Sequence, residues 1–210
     1  TQEDLVVFNK NGENWRNLTN DKYLERIPSW SHDGKKIVFH SDRSGKYQVW
    51  TIDADGNNLK QITFSEKTGA FVGVFSPDDK KLVYSEIDGK KQRPYILDLT
   101  KSWTEQTPQP LNLNKNSYAW VGGWSPDGNK LLLLTFGDDG NVDSLGVYDL
   151  RTSNFEKMAD QGTSPFWLSD SRHFIFSNLK GIYLVDSETK KTTEILKPSD
   201  YEIQSPNISS

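Results

Sequence analysis

The most constraining feature of the sequence is a ten-residue segment that occurs four times. Residues 30–39 read WSHDGKKIVF, residues 75–84 read FSPDDKKLVY, residues 124–133 read WSPDGNKLLL and residues 167–176 read WLSDSRHFIF. Successive copies begin 45, 49 and 43 positions apart. A fixed period of this length is the signature of a repeat architecture, in which each copy is one supersecondary unit.

Each copy predicts a strand, a tight turn and a second strand. Ser-Pro-Asp-Gly is typical of a type I turn, because Pro presets φ, Asp hydrogen-bonds to its own backbone and Gly accepts a positive φ. An aromatic residue ends the strand before the turn, and a short apolar run such as residues 37–39 follows it. A run of three or four apolar residues is too short for a helix and fits a buried strand.

A second polar hairpin follows each of these copies. Residues 53–63 read DADGNNLKQIT and come directly after an apolar strand, and segments of the same length begin at Asn9, Asp149 and Asp186. A version that begins at Asp98 is about five residues longer, and its turn contains Pro108 and Pro110. Two hairpins give four strands per repeat of about 43 residues, which are the strand number and period of a propeller blade.

The sequence therefore predicts an all-β chain, a β-propeller of four-stranded antiparallel blades with little helix. Four complete blades are expected, with partial blades at both ends, so that the chain holds about five blades. The alternative is a β-sandwich with regular hairpins, but a sandwich has no reason to repeat one turn sequence four times. The predicted bounds are 5–19 for the first partial blade, 27–63, 71–113, 120–159 and 164–196 for the complete blades, and 203–210 for the last partial blade.

Residues 30–43, WSHDGKKIVFHSDR, resemble the TolB-type repeat, also called the WD40-like or PD40 repeat, with His32 in place of its usual Pro. The resemblance covers essentially the whole chain, so residues 1–210 are expected to form one TolB-like propeller domain. Complete members of that family mostly have six or more blades, which implies that this chain is part of a larger propeller. The resemblance also favours a periplasmic or other extracytoplasmic location.

Composition excludes several classes of protein. The chain has no Cys, so disulfides, thiolate zinc sites and cysteine nucleophiles are excluded. Its 25 Lys and Arg residues are outnumbered by 29 Asp and Glu, which argues against binding to nucleic acid backbones. Apolar runs are far shorter than the ~20 residues of a membrane helix, so no membrane insertion is expected. Residues 1 to 30 also lack the pattern of a signal peptide.

No catalytic residue and no cofactor is predicted. Ser125 lies in a Gly-Trp-Ser-Pro-Asp segment that misses the nucleophile-elbow pattern by one residue. Serines occupy the same place in two sister repeats, Ser31 and Ser76, so a structural role in the turn is the simpler interpretation. The three histidines are scattered and form no evident ligand set or triad.

One acidic loop is a weak candidate for a cation site. Asp138, Asp139 and Asp143 lie within six residues of one another and could supply oxygen ligands to calcium. The alternative is a solvated loop between the second and third strands of a blade.

Partner binding is expected on one face of the propeller. Loops between strands two and three and connections between blades lie on the same face, which is named here the loop face, and they are longer and less repetitive than the turns of the opposite face. Function concentrates on variable loops that a rigid scaffold holds. The residues expected to be exposed there and to contact a partner are Arg26, Asp42, Arg43, Arg93, Tyr118 and Asp139.

These features favour a non-enzymatic scaffold that binds a partner protein or peptide, as a domain of a larger envelope, sensor or signalling protein. The alternative is the substrate-gating propeller of a prolyl-oligopeptidase-like serine peptidase, whose catalytic domain lies outside this sequence. The partial blades also predict open sheet edges, which can cause self-association.

Overall fold

The structure is a computed structural model that describes residues 2–67, 69–88, 91–113, 118–137 and 140–197. Regular structure in these ranges is β, apart from one turn of 3₁₀ helix at Trp103–Glu105. Within the same ranges, no helix reaches the length and apolar character that a membrane crossing requires. The chain divides into two compact units, Thr1–Pro110 and Leu111–Ser210, which are described separately.

The first unit contains three sheets in which each strand pairs with its neighbour in sequence. All named strand pairs are antiparallel, as expected for hairpins joined end to end. The sheets are β1 (Val6–Val7) with β2 (Arg16–Asn17); β3 (Glu25–Trp30), β4 (Lys36–Ser41), β5 (Gln48–Asp53) and β6 (Lys60–Gln61); and β7 (Gly69–Phe75), β8 (Lys81–Asp88) and β9 (Lys91–Asp98).

The second unit contains two four-stranded sheets with the same antiparallel order. Four consecutive antiparallel strands form the blade unit of a propeller. The sheets are β10 (Tyr118–Trp124), β11 (Lys130–Phe136), β12 (Val142–Asp149) and β13 (Asn154–Ala159); and β14 (Thr163–Trp167), β15 (His173–Asn178), β16 (Gly181–Asp186) and β17 (Thr192–Leu196).

Among the described residues, the sheet of β7–β9 lacks the fourth strand that the sheets of β3–β6, β10–β13 and β14–β17 have. In place of a fourth strand it has a single antiparallel bridge, between Tyr95 and Pro110. Prolines have no N–H to donate to a ladder, so the lengthened segment that carries Pro108 and Pro110 cannot pair along its length.

The structure shows why Ser and Asp recur in the repeated turn. The Ser31 hydroxyl donates to the Asp33 carboxylate at 2.8 Å and accepts the Lys36 N–H at 2.9 Å, which closes the turn. Ser76 and Ser125 make the equivalent bonds in their own turns. Ser125 is therefore occupied by the turn, in agreement with the structural interpretation of this residue.

The fifth residue of each copy of the repeated segment has a left-handed backbone. It is Gly34 at φ 68° and Gly128 at φ 72°, but Asp79 at φ 56° and Ser171 at φ 57°. Glycine adopts this conformation without steric cost, whereas other residues do so only when something compensates.

The two side chains at this position connect neighbouring turns. The Asp79 carboxylate accepts the backbone N–H groups of His32 at 2.8 Å and Asp33 at 3.0 Å. In the second unit the Ser171 hydroxyl accepts the N–H of Asp127 at 2.9 Å. These bonds are named the turn clasps, and each joins one sheet to the sheet that precedes it in the same unit.

In each unit, one aromatic residue that ends a first strand packs against the preceding sheet of the same unit. Phe75 shares a buried cluster with Val38 and Val49, and Trp167 is buried in an equivalent cluster of the second unit. Trp30 occupies the same place but is 50% exposed. Because the preceding sheet of described residues contains only β1 and β2, it has no inner strands to cover the Trp30 ring.

The first strand of three sheets contains a strained bulge. Ile27, Val72 and Ser164, each three residues before the terminal aromatic, have φ values of 50°, 49° and 49°. Each lies at a shift in the strand register. Such bulges bend a strand and redirect its side chains, and they occur often next to functional sites.

Candidate functional site

The loop-face end of β3 presents an exposed arginine beside a bulge. Arg26 is paired in register with His40 of β4, and the bulge begins at the next residue, Ile27. The Arg26 side chain is 45% exposed and Ile27 is 56% exposed. The bulge therefore places an exposed cation and an exposed aliphatic residue at consecutive positions near the end of a paired strand.

Three aromatic rings from two different sheets meet beside this arginine. The His40 ring centroid lies 5.2 Å from that of Tyr47 and 5.4 Å from that of Phe71, and the Tyr47 and Phe71 rings are 5.3 Å apart. His40 is buried, whereas Tyr47 and Phe71 are half-buried. The Ala70 N–H donates to the Tyr47 carbonyl at 2.9 Å, which ties the two sheets together at this point.

His40 is held in its neutral form. Burial, assisted by the positive charge of Arg26, lowers the pKa of His40 to about 4. Its Nδ1 accepts a long hydrogen bond of 3.4 Å from the N–H of Val72, the strained bulge residue of β7. An accepting Nδ1 places the proton of the neutral ring on Nε2. The His40 ring therefore stabilises the strained backbone of Val72 by accepting its N–H.

Glu3 binds Arg26 through both carboxylate oxygens. The Arg26 Nε and Nη2 groups each donate at 2.7 Å, which is the bidentate geometry of a strong carboxylate pair. These hydrogen bonds hold the pKa of Glu3 below its usual value. Arg26, Ile27, Tyr47 and Phe71 are named here the Arg26 patch, with Glu3 bound at its edge and His40 beneath it.

The expectation that Arg43 is exposed is wrong. Its side chain is 8% exposed, and its guanidinium donates to Glu25 at 2.7 Å and contacts Asp21 at 3.3 Å. The Glu25 side chain is fully buried and also accepts bonds from the hydroxyls of Ser41 and Thr19. Arg43 therefore neutralises a buried carboxylate and does not project from the loop face.

The sequence carries a signal for the pair of Glu25 and Arg43. Glu25 lies five residues before Trp30, and the equivalent residues of two sister repeats are Ala70 and Ala119, both fully buried. A carboxylate at a position that sister repeats fill with alanine requires a nearby cation.

The other candidate residues differ in their surroundings. The Asp42 carboxylate accepts the Leu24 N–H at 3.0 Å and is half-buried. Arg93 is half-buried and lies opposite Glu86 in the β8–β9 register. Tyr118 begins β10 in the second unit and is half-buried.

Part of the acidic loop lies outside the described residues. Asp138 and Asp139 are not described, so both the cation prediction and the partner-binding prediction for Asp139 stay predictions. Asp143 is exposed, and its backbone oxygen accepts a 3.4 Å bond from the Lys157 ammonium. In the described part of the chain, no group of three or more acidic or histidine residues could hold a metal ion.

Sequence reasoning missed Glu3, His40, Tyr47 and Phe71. Their contacts join segments that lie far apart in sequence, and among the described residues no other repeat shows an equivalent set of ring contacts around a histidine. The weak signal was that aromatic and histidine residues lie at the loop-face ends of strands, where the repeats vary most.

Comparisons with known proteins agree with the sheet architecture. The whole chain, residues 1–210, matches the family described as the Tricorn protease N-terminal beta propeller domain. Dipeptidyl-peptidase 5 of Porphyromonas gingivalis is 26% identical over 95% of this chain and 38% of its own length. Tol-Pal system protein TolB of Anaeromyxobacter dehalogenans is 43% identical over 45% of this chain and 21% of its own length.

A solved structure shows the same fold. The crystal structure of TolB from Acinetobacter baumannii superposes with a TM-score of 0.65 and 19% identity, and it covers 93% of this chain and 49% of that one. With the repeated antiparallel sheets, this likeness identifies the fold as a β-propeller. The chain spans about a fifth to two fifths of the length of the relatives that it matches in sequence.

Proposed function

Because the chain belongs to the family of Tricorn protease N-terminal β-propeller domains, we propose that it is a non-catalytic propeller that binds a protein or peptide through its loop face. One relative is named a dipeptidyl-peptidase and another a protein of the Tol-Pal system. A polypeptide ligand is consistent with both names. Fold alone does not fix function, so the proposal depends on a particular surface of this chain.

The Arg26 patch is the observation that carries the proposal. It combines two half-buried aromatic rings, Tyr47 and Phe71, with an exposed aliphatic side chain and an exposed arginine. Aromatic residues and arginine are the types enriched at the centres of protein interfaces. Strand pairing and the buried His40 hold these side chains in place, so little conformational entropy would be lost on binding.

The test is selection of linear peptides from a random display library on the purified chain. Tyr47→Ser removes one ring of the patch, and Leu59→Ser is the matched control, since Leu59 is exposed beside β6 in the turn between β5 and β6. Peptides selected on the wild type should lose affinity about tenfold or more with Tyr47→Ser, the size of a hot-spot loss, and little with Leu59→Ser. Thermal melting should show that both variants fold.

Two results would contradict the proposal. One is that no peptide family is enriched on the folded chain. The other is that selected peptides bind Tyr47→Ser as well as they bind the wild type.

A second candidate function is a propeller that admits peptides to an attached peptidase domain. The observation that favours it is the match to dipeptidyl-peptidase 5 across 95% of this chain. Sequence that flanks this chain in its gene distinguishes the two candidates. An α/β-hydrolase pattern with a nucleophile elbow downstream supports the peptidase, whereas its absence supports a separate binding module.

Two further parts of the proposal concern location and assembly. The resemblance to TolB supports an extracytoplasmic location. Self-association through open sheet edges is supported by the exposed Trp30 ring and by β17, all of whose residues are exposed, including Ile195 and Leu196.

A further inference from the structure

We infer that Arg26 recognises an acidic side chain of the bound polypeptide, and that Glu3 occupies this site from within the same chain. The inference rests on the proposed function, because it names the chemistry of the segment that the Arg26 patch would bind. Glu3 is a stand-in for an aspartate or glutamate of the partner.

The ion pair of Arg26 and Glu3 has bidentate geometry. Glu3 receives two parallel hydrogen bonds of 2.7 Å from Nε and Nη2 of Arg26. These two parallel N–H groups match the two oxygens of a carboxylate. An amide or a hydroxyl does not offer two negatively charged oxygens to accept both bonds. Arg26 is therefore already arranged to bind a carboxylate at the loop face.

The backbone beside the pair positions Glu3. Glu3 forms a parallel bridge with Leu24, and its carbonyl accepts the Glu25 N–H at 3.0 Å. An extended segment thus lies along the start of β3 and directs its acidic side chain to Arg26. A partner segment that passes over the patch would bring its acidic side chain to the same Arg26 N–H groups after the Glu3 side chain has turned away.

The Glu3 side chain can leave without unfolding its segment. The segment is anchored at Leu5, whose N–H donates to the Thr19 hydroxyl at 2.9 Å and whose carbonyl accepts the Leu18 N–H at 2.8 Å. Neither bond involves the Glu3 carboxylate. Rotation of one side chain is therefore enough to release Arg26.

The ion pairs of Arg26 and Arg43 differ in their exposure to solvent. The Arg26–Glu3 pair is 45% and 40% exposed, and such surface pairs contribute little to stability, so a second carboxylate can compete. The Arg43–Glu25 pair is 8% and 0% exposed, and opening it would leave an unpaired buried charge. Only Arg26, of these two, can exchange its partner.

The surroundings of Arg26 define the rest of the ligand. The Tyr47 and Phe71 rings form an aromatic surface around His40, the register partner of Arg26, and the exposed Ile27 follows Arg26 in the chain. We therefore expect the preferred segment to have an aspartate or glutamate next to an apolar or aromatic residue.

The test uses N-acetyl-Asp-Phe-amide as the probe and N-acetyl-Asn-Phe-amide as the neutral control. Binding is followed by NMR titration of the ¹⁵N-labelled chain, including the Arg26 Nε resonance. Glu3→Gln should raise the affinity for the Asp probe about threefold or more, because the competing carboxylate of the same chain is replaced by a neutral amide. Arg26→Gln should abolish the preference for Asp over Asn. Both variants should melt within a few degrees of the wild type, since the pair is exposed.

Several outcomes would overturn the inference. They are an unchanged affinity for the Asp probe in Glu3→Gln, an Asp preference that survives Arg26→Gln, or no shift of the Arg26 Nε resonance. A fourth is that N-acetyl-Asn-Phe with a free carboxyl terminus competes where the Asp probe does not, which would assign Arg26 to a chain terminus. If both amide probes bind equally and Tyr47→Ser weakens both, the proposed function stands and only the role of Arg26 fails.

Discussion

His40 makes the stability of the first unit depend on pH. Its pKa falls from an ordinary value of 6.5 to about 4 in the folded chain, because the buried ring resists protonation. The unfolded chain therefore takes up a proton at higher pH than the folded chain does. Above pH 6.5 the protonation of His40 does not lower the free energy of unfolding. As the pH falls from 6.5 toward 4, the free energy of unfolding decreases.

We expect the free energy of unfolding to fall by about 3 kcal/mol between pH 7 and pH 4 through His40 alone. The measurement is urea denaturation of the wild type and of His40→Gln at pH 7, 5.5 and 4, with the difference between the two proteins assigned to His40. Parallel pH profiles would contradict the prediction, as would an NMR titration of the wild-type ring with a midpoint near 6.5.

Arg43 and Arg26 should behave differently on truncation. Arg43→Ala leaves the buried Glu25 carboxylate without its counter-charge and should cost about 3–5 kcal/mol. Arg26→Ala should reduce the stability far less, because the ion pair of Arg26 with Glu3 is exposed to solvent. Chemical denaturation of both variants measures the difference.

A double variant tests the cause. Glu25→Ala combined with Arg43→Ala removes both charges and places alanine where two sister repeats already have it, so it should recover part of the lost stability. If the double variant is as unstable as the sum of the single variants, charge pairing is not the reason for the burial of Arg43.

Among the strands and turns, the turn clasp of Asp79 is the clearest determinant of how two sheets are joined. Asp79→Ala removes the acceptor of two backbone N–H groups and should destabilise the first unit by about 1–3 kcal/mol. Asp79→Asn keeps an acceptor and tolerates the left-handed backbone, so it should cost less.

Thermal denaturation of the two variants measures these effects. The matched control is Asp55→Ala, since the Asp55 carboxylate bonds only within its own turn. Equal losses in Asp79→Ala and Asp55→Ala would mean that the bond between the sheets adds nothing.

The hairpins were predictable from sequence because their determinants are local. A turn serine, an aspartate two residues later and an aromatic at the strand end act within ten residues, and repetition separates them from chance. The reduced outer edge of the β7–β9 sheet was only partly predictable. The prolines indicated an irregular turn, but the single bridge at Pro110 depends on the path of the whole inserted segment.

The candidate site was mostly not predictable. The loop-face position of Arg26 followed from the order of the strands, but its partner Glu3 and its neighbour Phe71 come from segments 23 and 45 residues away. Exposure of Arg43 was predicted wrongly, because the burial of Arg43 depends on Glu25, which stands out in a comparison with the other repeats but not in the loop sequence of Arg43 itself. The repeated residues determine the hairpins that all blades have in common. The candidate site is formed by residues that differ from one blade to the next.

For the molecule as a whole, the exposed apolar surface predicts self-association. Trp30 is half exposed at a place where sister repeats bury their aromatic residue against a neighbouring sheet. We expect light scattering to show an apparent mass that rises with concentration, and Trp30→Ser to reduce that rise. Leu179→Ser is the control, since Leu179 is 88% exposed in the hairpin between β15 and β16.

A strictly monomeric chain at high concentration would contradict this prediction. An association that Leu179→Ser reduces as much as Trp30→Ser does would show that general surface hydrophobicity is responsible, and not the open sheet.

The turn clasps also imply that the blades are not interchangeable parts. Asp79 and Ser171 each reach back to the blade before them, while Gly34 and Gly128 have no side chain with which to do so. A chain assembled by copying the blade of β3–β6 in tandem would have identical folds but no such links. The residue at this one position of each turn therefore depends on which blade comes before it. A chain with its blades in another order would lose these hydrogen bonds.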